Sequence, residues 1–161
     1  MSFYQLIQEQ ILPTSLEAAW DFITSPENLK RITPPQMGFD ITSEKIGGKI
    51  YPGMIITYKV KPFPVYTTQW VTEITHVKEL SYFVDEQRIG PYRMWHHQHH
   101  IEAVQEGVRM TDIITYQPPF GFIGAIANKM LIRNSLQRIF HYRRKAFEQQ
   151  FNSPLTDTSD K

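Results

Sequence analysis

No cysteine occurs anywhere in the 161 residues, which removes disulfides, thiolate nucleophiles and cysteine-ligated zinc or iron–sulfur centres together. Charge of one sign is also lacking: a formal net charge of +1 creates no global field for nucleic acid, and no nucleic-acid partner is expected. No stretch approaches the 18 or so apolar residues of a membrane span, and the opening MSFYQLIQEQIL has neither a basic n-region nor a long apolar h-region. A cytoplasmic location is the default expectation. Internal repeats, a phosphate-binding glycine loop, a nucleophile motif and a spacing specific for metal are missing as well, so no cofactor and no metal are expected.

What is present is apolar and rich in rings. Hydrophobic residues make up 41% of the chain and aromatics 13%, which is generous at this length and suggests that something large and apolar is being lined or filled. The mean hydropathy of −0.38 is ordinary for a soluble globular protein. The length suits one well-formed core. A single domain is expected over 1–151, followed by a polar tail, 152–161, with the composition of a disordered segment.

The longest regular stretch is 122–151. It contains no proline, a single glycine and many straight-chain helix formers. As one helix it would run roughly 45 Å at 1.5 Å per residue. Its apolar residues form two stripes, Ile123 to Leu131 and then Leu136, Ile139, Phe140, Phe147 and Phe151, roughly half a turn apart around the axis. That offset predicts a kink near 132–135, where Asn134 to Gln137 has the spacing of a new capping box. Upstream, 3–12 reads as a strand ended by Pro13, and Thr14-Ser15-Leu16-Glu17 caps a short helix over 15–24. Ser25-Pro26-Glu27 starts a second helix that Pro34-Pro35 stops, over 26–32. From residue 39 the period becomes two, giving candidate strands at 39–46, 50–60, 65–77, 80–88, 93–104 and 108–116. Their short, turn-like links suit an antiparallel meander. The expectation is therefore an α+β fold: an antiparallel sheet of about seven strands wrapped around a long C-terminal helix, with two short helices after the first strand.

Several segments resemble one family. They are Ser25-Pro26-Glu27-Asn28-Leu29 through Ile32-Thr33-Pro34-Pro35; Asp85-Glu86-Gln87 with Gly90-Pro91-Tyr92; Trp95, His97 and His99 as WxHxH; Met110-Thr111-Asp112; Gly121 and Gly124; and Ile139-Phe140 with Tyr142-Arg143-Arg144. Together they resemble the SRPBCC (START/polyketide cyclase-like) superfamily, and within it an uncharacterised bacterial family of ligand-binding proteins. The resemblance spans about 3–151 and departs at Ile101, where Phe is the expected residue. It implies the helix-grip fold and a cavity between sheet and helix for an apolar ligand. Members of the wider superfamily bind lipids, sterols or hormones, cyclise polyketides, or act as chaperone cofactors, so fold alone does not choose among them.

The densest chemistry is Trp95-His96-His97-Gln98-His99-His100. On a strand, Trp95, His97, His99 and Ile101 share one face, and Met94, His96, Gln98 and His100 share the other. The first set is the more apolar and is assigned to the cavity. His97 and His99, about 7 Å apart along that face, could reach one ligand group. A metal would need a further ligand such as Asp85, Glu86 or Asp112, and the plainer reading is hydrogen bonding to neighbours. Which of Asp85 and Glu86 shares the face depends on the register of the hairpin around Gly90-Pro91. On the helix, Arg143 falls within the stripe of Phe140 and needs a partner, either a sheet carboxylate or an anionic group of a ligand. Tyr92 lies beside Trp95 at the end of the sheet, and Tyr58 and Trp70 are further aromatic candidates. Met54, Tyr66, Phe83 and Met110 could also line a pocket, though ordinary core roles suit them as well.

Three functions follow. One is binding of a small apolar or amphipathic molecule, with Trp95, His97, His99, Tyr92, Arg143, Tyr58, Trp70 and Phe140 as the contacts. The alternative is a cyclase, dehydratase or isomerase, with His97 or His99 as base and Tyr92 or Arg143 stabilising an enolate. A role as an interaction module with a filled cavity is the third. The basic outer side of the helix, Lys129, Arg133, Arg138, Arg144 and Lys145, reads first as a solvated face and only second as a peripheral membrane contact.

Overall fold

A computed structural model describes residues 3–43, 48–63, 66–119 and 131–152, leaving out the side chains of 62, 63, 66 and 152. Strand β1 (Tyr4–Leu12) is followed by helices α1 (Leu16–Ile23) and α2 (Pro26–Leu29) and a 3-10 turn, Pro35–Met37. Strands β2 (Asp40–Ile41), β3 (Ile55–Phe63), β4 (Tyr66–Lys78), β5 (Tyr82–Ile89), β6 (Met94–Val104) and β7 (Gly107–Gln117) come next, and α3 (Arg133–Asn152) closes the order. The strands make one antiparallel sheet ordered β1-β7-β6-β5-β4-β3-β2. The meander is the one the short links require, and β1 joins it beyond β7.

Several expected boundaries move, each for a local reason. Of the strand expected over 39–46, residues 44–46 lie outside the described residues, and the described part is Asp40–Ile41 at the sheet edge, because Thr42 and Ser43 both donate to the Thr57 carbonyl and the ladder stops advancing there. The strand expected from 50 begins at Ile55, since Tyr51 to Met54 form a turn with Gly53 at φ 89°. Leu80, at φ 56°, makes the turn that delays β5 to Tyr82. The helix expected over 26–32 ends at Leu29 and unwinds through bonds from Arg31 and Ile32 back to the Asn28 carbonyl. The cap of α1 lies one residue beyond the Thr14 that the Thr14 to Glu17 spacing implies: Ser15 accepts from the Ala18 amide at 3.2 Å.

On α3 the buried stripe is Ile132, Leu136, Phe140, Arg143 and Phe147, with Ile139 half-buried and Leu131 59% exposed. A π-helical turn at 131–132 precedes the regular helix, so Asn134 lies inside it and the expected capping box is not made. The rest of the first stripe, in 122–130, and the tail 153–161 lie outside the described residues; among the described residues the helix extends to Asn152.

The core falls into two regions. Around α1, Trp20 and Phe22 pack with Phe83, Met110 and Phe147, and the Phe22 and Phe147 rings meet edge-on at 5.7 Å. Nearer the start of α3, Ile132, Leu136 and Phe140 pack on Trp95, Ile114 and Tyr116. Burying an aromatic of this kind stabilises by about 1.5–3 kcal/mol relative to leaving it exposed, so the stripe is what holds α3 on the sheet.

A candidate binding site of histidines and carboxylates in an apolar pocket

Strand alternation and register assemble the site. On β6, Trp95, His97, His99 and Ile101 are buried, while Met94, His96, Gln98 and His100 are half-buried on the other face. Asp85 of β5 stands opposite His97, and Asp112 of β7 stands opposite His99. Asp85 therefore shares the inner face, and Glu86, opposite His96, takes the outer one, where the two side chains meet at 2.9 Å. The register is held at the hairpin by Gln87, whose Nε2 donates to the Tyr92 carbonyl at 2.7 Å and whose Oε1 accepts from the Tyr92 amide at 3.2 Å. Gly90 is needed there because a Cβ would come within 2.3 Å of the Gln87 side chain. Gln87 as a clasp is a role that sequence reasoning missed; the motif Asp85-Glu86-Gln87 with Gly90-Pro91-Tyr92 was its only trace.

The four inner polar groups form a closed figure. His97 Nε2 donates to Asp112 Oδ1 at 2.9 Å, and His99 Nε2 donates to Asp85 Oδ2 at 2.8 Å. The remaining ring nitrogens face the opposite acids, His97 Nδ1 at 3.5 Å from Asp85 Oδ2 and His99 Nδ1 at 2.9 Å from Asp112 Oδ1. Despite that distance, His99 Nδ1 lacks a hydrogen bond of acceptable angle among the described residues. The two imidazoles lie 3.7 Å apart between centroids, with Phe83 stacked on His99 at 4.1 Å and Phe140 edge-on to His97 at 5.9 Å. Aromatic walls on both sides lower the local dielectric and strengthen every charge interaction inside.

Burial and pairing oppose each other at each group. Burial alone would raise Asp85 and Asp112, but the hydrogen bonds and charges of His97 and His99 outweigh it and hold both carboxyls below the ordinary range; Arg143 adds to this at Asp85. Burial and the neighbouring His99 charge depress His97 despite its carboxylate neighbours. Burial depresses His99 too, but its contacts with Asp112 and Asp85 prevail and raise it. Both Tyr58 and Tyr92 are raised, chiefly by burial, and stay neutral phenols at physiological pH.

Arg143 completes the group from the helix. It is 9% exposed, its Nε has no hydrogen bond, and its guanidinium carbon sits 5.0 Å from the Phe140 ring centroid. The expected ion pair to a sheet carboxylate is not made among the described residues; its charge acts on Asp85 through space. A cation over an aromatic face is stabilised electrostatically, which partly offsets the missing pair.

Asp85, His97, His99 and Arg143 make one wall of a pocket of about 180 Å³ between the sheet, α1–α2 and α3. Trp95, His97, His99, Tyr92, Arg143, Tyr58, Trp70 and Phe140 all border it, as do Phe83 and Met110. Met54 is buried in the core instead, and the Tyr66 side chain lies outside the described residues. Missed contributors come from the helical segment, Phe22, Leu29 and Ile32, which looked like plain packing residues. Trp70 is pinned by Nε1 donating to Thr72 Oγ1 at 3.0 Å and meets Trp95 edge-on at 5.3 Å.

No family model matches the sequence, and no curated protein matches it either. Solved structures do. Ginseng major latex-like protein 151 from Panax ginseng superimposes at TM-score 0.67 with 15% identity, covering 94% of this chain and 99% of that one. The chain has the helix-grip fold. Two further helix-grip structures agree: TTHA0849 from Thermus thermophilus, at TM-score 0.66 and 14% identity over 93% of this chain and 98% of that one, and Ara h 8.0201, at 0.58 and 17% over 95% and 100%. At such identities the likeness is one of fold. Among the described residues no helix is long and apolar enough to cross a membrane.

Proposed function

We propose that the helix-grip pocket binds a small apolar or amphipathic molecule, with Trp95, Tyr92, Tyr58, Trp70 and Phe140 as the apolar contacts and His97, His99 and Arg143 as the polar anchor. The observation that carries this reading is one cluster of ionisable side chains, Asp85, His97, His99 and Arg143, in a pocket otherwise lined mainly by aliphatic and aromatic side chains, with the hydroxyls of Ser25, Thr33, Thr72 and Ser135 and the tyrosines as further polar side-chain groups. Pockets of that composition orient a ligand by one end and hold the rest by burial. A cavity of about 150 Å³ accepts benzene, so about 180 Å³ suits a compact ligand core of one ring or a short branched chain. Native mass spectrometry of freshly purified protein tests it, with a co-purifying small molecule as the expected result. Titration of single-ring alcohols and hydrocarbons should change Trp95 fluorescence, and His97→Leu should weaken the alcohols far more than the hydrocarbons. Equal loss for both classes would remove the anchor role.

One observation favours the enzymatic alternative. His97 is held neutral, with its Nε2–H fixed on Asp112, which orients the imidazole as a general base needs. A cyclase or isomerase acting on a carbonyl compound would exchange the proton α to that carbonyl with solvent, so NMR in D₂O with single-ring ketones separates turnover from binding.

A further inference from the structure

Asp85, His97 and His99 each present one donor atom, all within 4.8 Å of one another. Asp85 Oδ2 stands 2.8 Å from His99 Nε2 and 3.5 Å from His97 Nδ1. Donors bound to one first-row ion at about 2.0–2.2 Å lie roughly 3–3.6 Å apart, so these distances are already close to coordination spacing. All three residues border the pocket.

A second observation lies behind them. The other nitrogens of the two rings, His97 Nε2 and His99 Nδ1, both stand 2.9 Å from the same oxygen, Asp112 Oδ1. Asp112 does not border the large pocket; it sits against a separate, small polar recess with Gln10 and Arg143. A carboxylate on the far nitrogen of an imidazole is how proteins fix the tautomer and orientation of a metal-ligating histidine. As a hydrogen-bond network the figure is incomplete, because His99 Nδ1 is buried and makes no acceptable bond.

We propose that Asp85, His97 and His99 form a binding site for a divalent first-row transition ion, a facial arrangement of two histidines and one carboxylate, with Asp112 orienting His97 through its hydrogen bond and standing close behind His99, and the remaining coordination positions open to the pocket. Nitrogen and carboxylate donors with open positions suit iron(II), cobalt(II) or zinc(II) rather than calcium or magnesium. This reverses the expectation drawn from the sequence, which counted only two histidines on the inner face; the register across β5 and β6 supplies the third donor. Charge sets what completes the sphere. Two carboxylates and Arg143 sum to one negative charge, and a divalent ion turns that to one positive, so the open position favours an anionic oxygen, a hydroxide or a ligand carboxylate.

The proposal stands on its own geometry, apart from the reading of the pocket as an apolar-ligand site, and is tested with the metal alone. Protein without an affinity tag is stripped with chelator and titrated with cobalt(II), followed by visible absorption and calorimetry. One equivalent should bind with d–d bands of a nitrogen- and oxygen-ligated site, and the thermal midpoint should rise with metal. Asp85→Asn and His97→Ala should abolish stoichiometric binding. Asp112→Asn should weaken it about 10- to 100-fold. The double variant His96→Ala, His100→Ala, on the outer face, should bind as wild type does. No stoichiometric binding by the wild-type protein overturns the site without reference to any variant, as does binding lost only in the outer-face double variant, which marks an adventitious surface ion. Ring-compound titrations of the same metal-free protein are read separately, so either idea can fail alone.

Discussion

The two faces of β6 carry the same residue type at alternate positions and put it to opposite use. Outward, His96 meets Glu86 at 2.9 Å and His100 meets Gln98 at 3.0 Å, both half-exposed, where water competes for every bond. Inward, His97 and His99, 4% and 7% exposed, are closed between two carboxylates and two phenylalanines. Surface pairs of the outer kind contribute about 0–1 kcal/mol, whereas breaking a buried pair strands a charge with no solvent to screen it. Residue identity therefore says little about what a histidine does here; position relative to one pleat decides it.

The comparison breaks most readily at Asp112. Asp112→Ala leaves His97 Nε2 and His99 Nδ1 without their carboxylate, and urea unfolding should show a loss of about 3–5 kcal/mol; a loss under about 1 kcal/mol would make the inner face no different from the outer. Phe140→Ala, which removes the ring edge-on to His97 and a member of the helix stripe, should cost a similar amount, about 3–5 kcal/mol, whereas half-buried Ile139→Ala should cost clearly less.

Acid sharpens the contrast. In metal-free protein, Asp85 and Asp112 have lowered carboxyls, so their stabilisation is present above the ordinary value near 3.9 and is lost as pH falls through the lower folded values. His97, depressed, adds a loss that begins as pH drops below about 6.5. His99 is raised, so its contribution is full below about 6.5 and fades as pH climbs through its folded value. Urea midpoints from pH 3 to 9 should thus fall on the acid side, and Asp112→Asn should flatten that limb. His99→Gln should remove the alkaline decline; an unchanged alkaline limb would mean that His99 carries no extra proton in the folded state. The smallest effect belongs to the outer pair. His96→Ala with His100→Ala should shift stability by no more than about 0.5 kcal/mol.

Much of the inner face was legible because Trp95, His97, His99 and Ile101 obey a period of two, and strands enforce that period whatever surrounds them. The helix stripe through Leu136, Phe140, Arg143 and Phe147 was legible for the parallel reason of a 3.6-residue repeat. Asp85 was not, because choosing it over Glu86 depends on a register that a one-residue slip would invert, and the Gln87 clasp on Tyr92 acts between residues whose contact no periodicity encodes. Ile132 was missed because the stripes were divided near 132–135, whereas the π-helical turn lies at 131–132 and Ile132 is buried along with Leu136. Phe22, Leu29 and Ile32 were missed because a pocket wall and a core contact have the same composition, and only the shape between elements tells them apart.

The pairing of β1 with β7 has a consequence in time. Tyr4 must find Tyr116 and Leu12 must find Val108, so the first strand synthesised waits for the last strand of the sheet before its ladder can form. Contacts of such sequence separation close slowly, since the chain loses loop entropy before the pairing returns any stability. Meanwhile β2 to β7 can zip through neighbouring hairpins as each emerges from the ribosome. Ile7 and Ile11, still 54% and 46% exposed on the finished edge strand, are during that interval apolar residues on an unpaired ribbon. A nascent chain stalled before residue 108 would hold that ribbon open with no mate, which makes the N-terminal strand the segment a chaperone has most reason to cover.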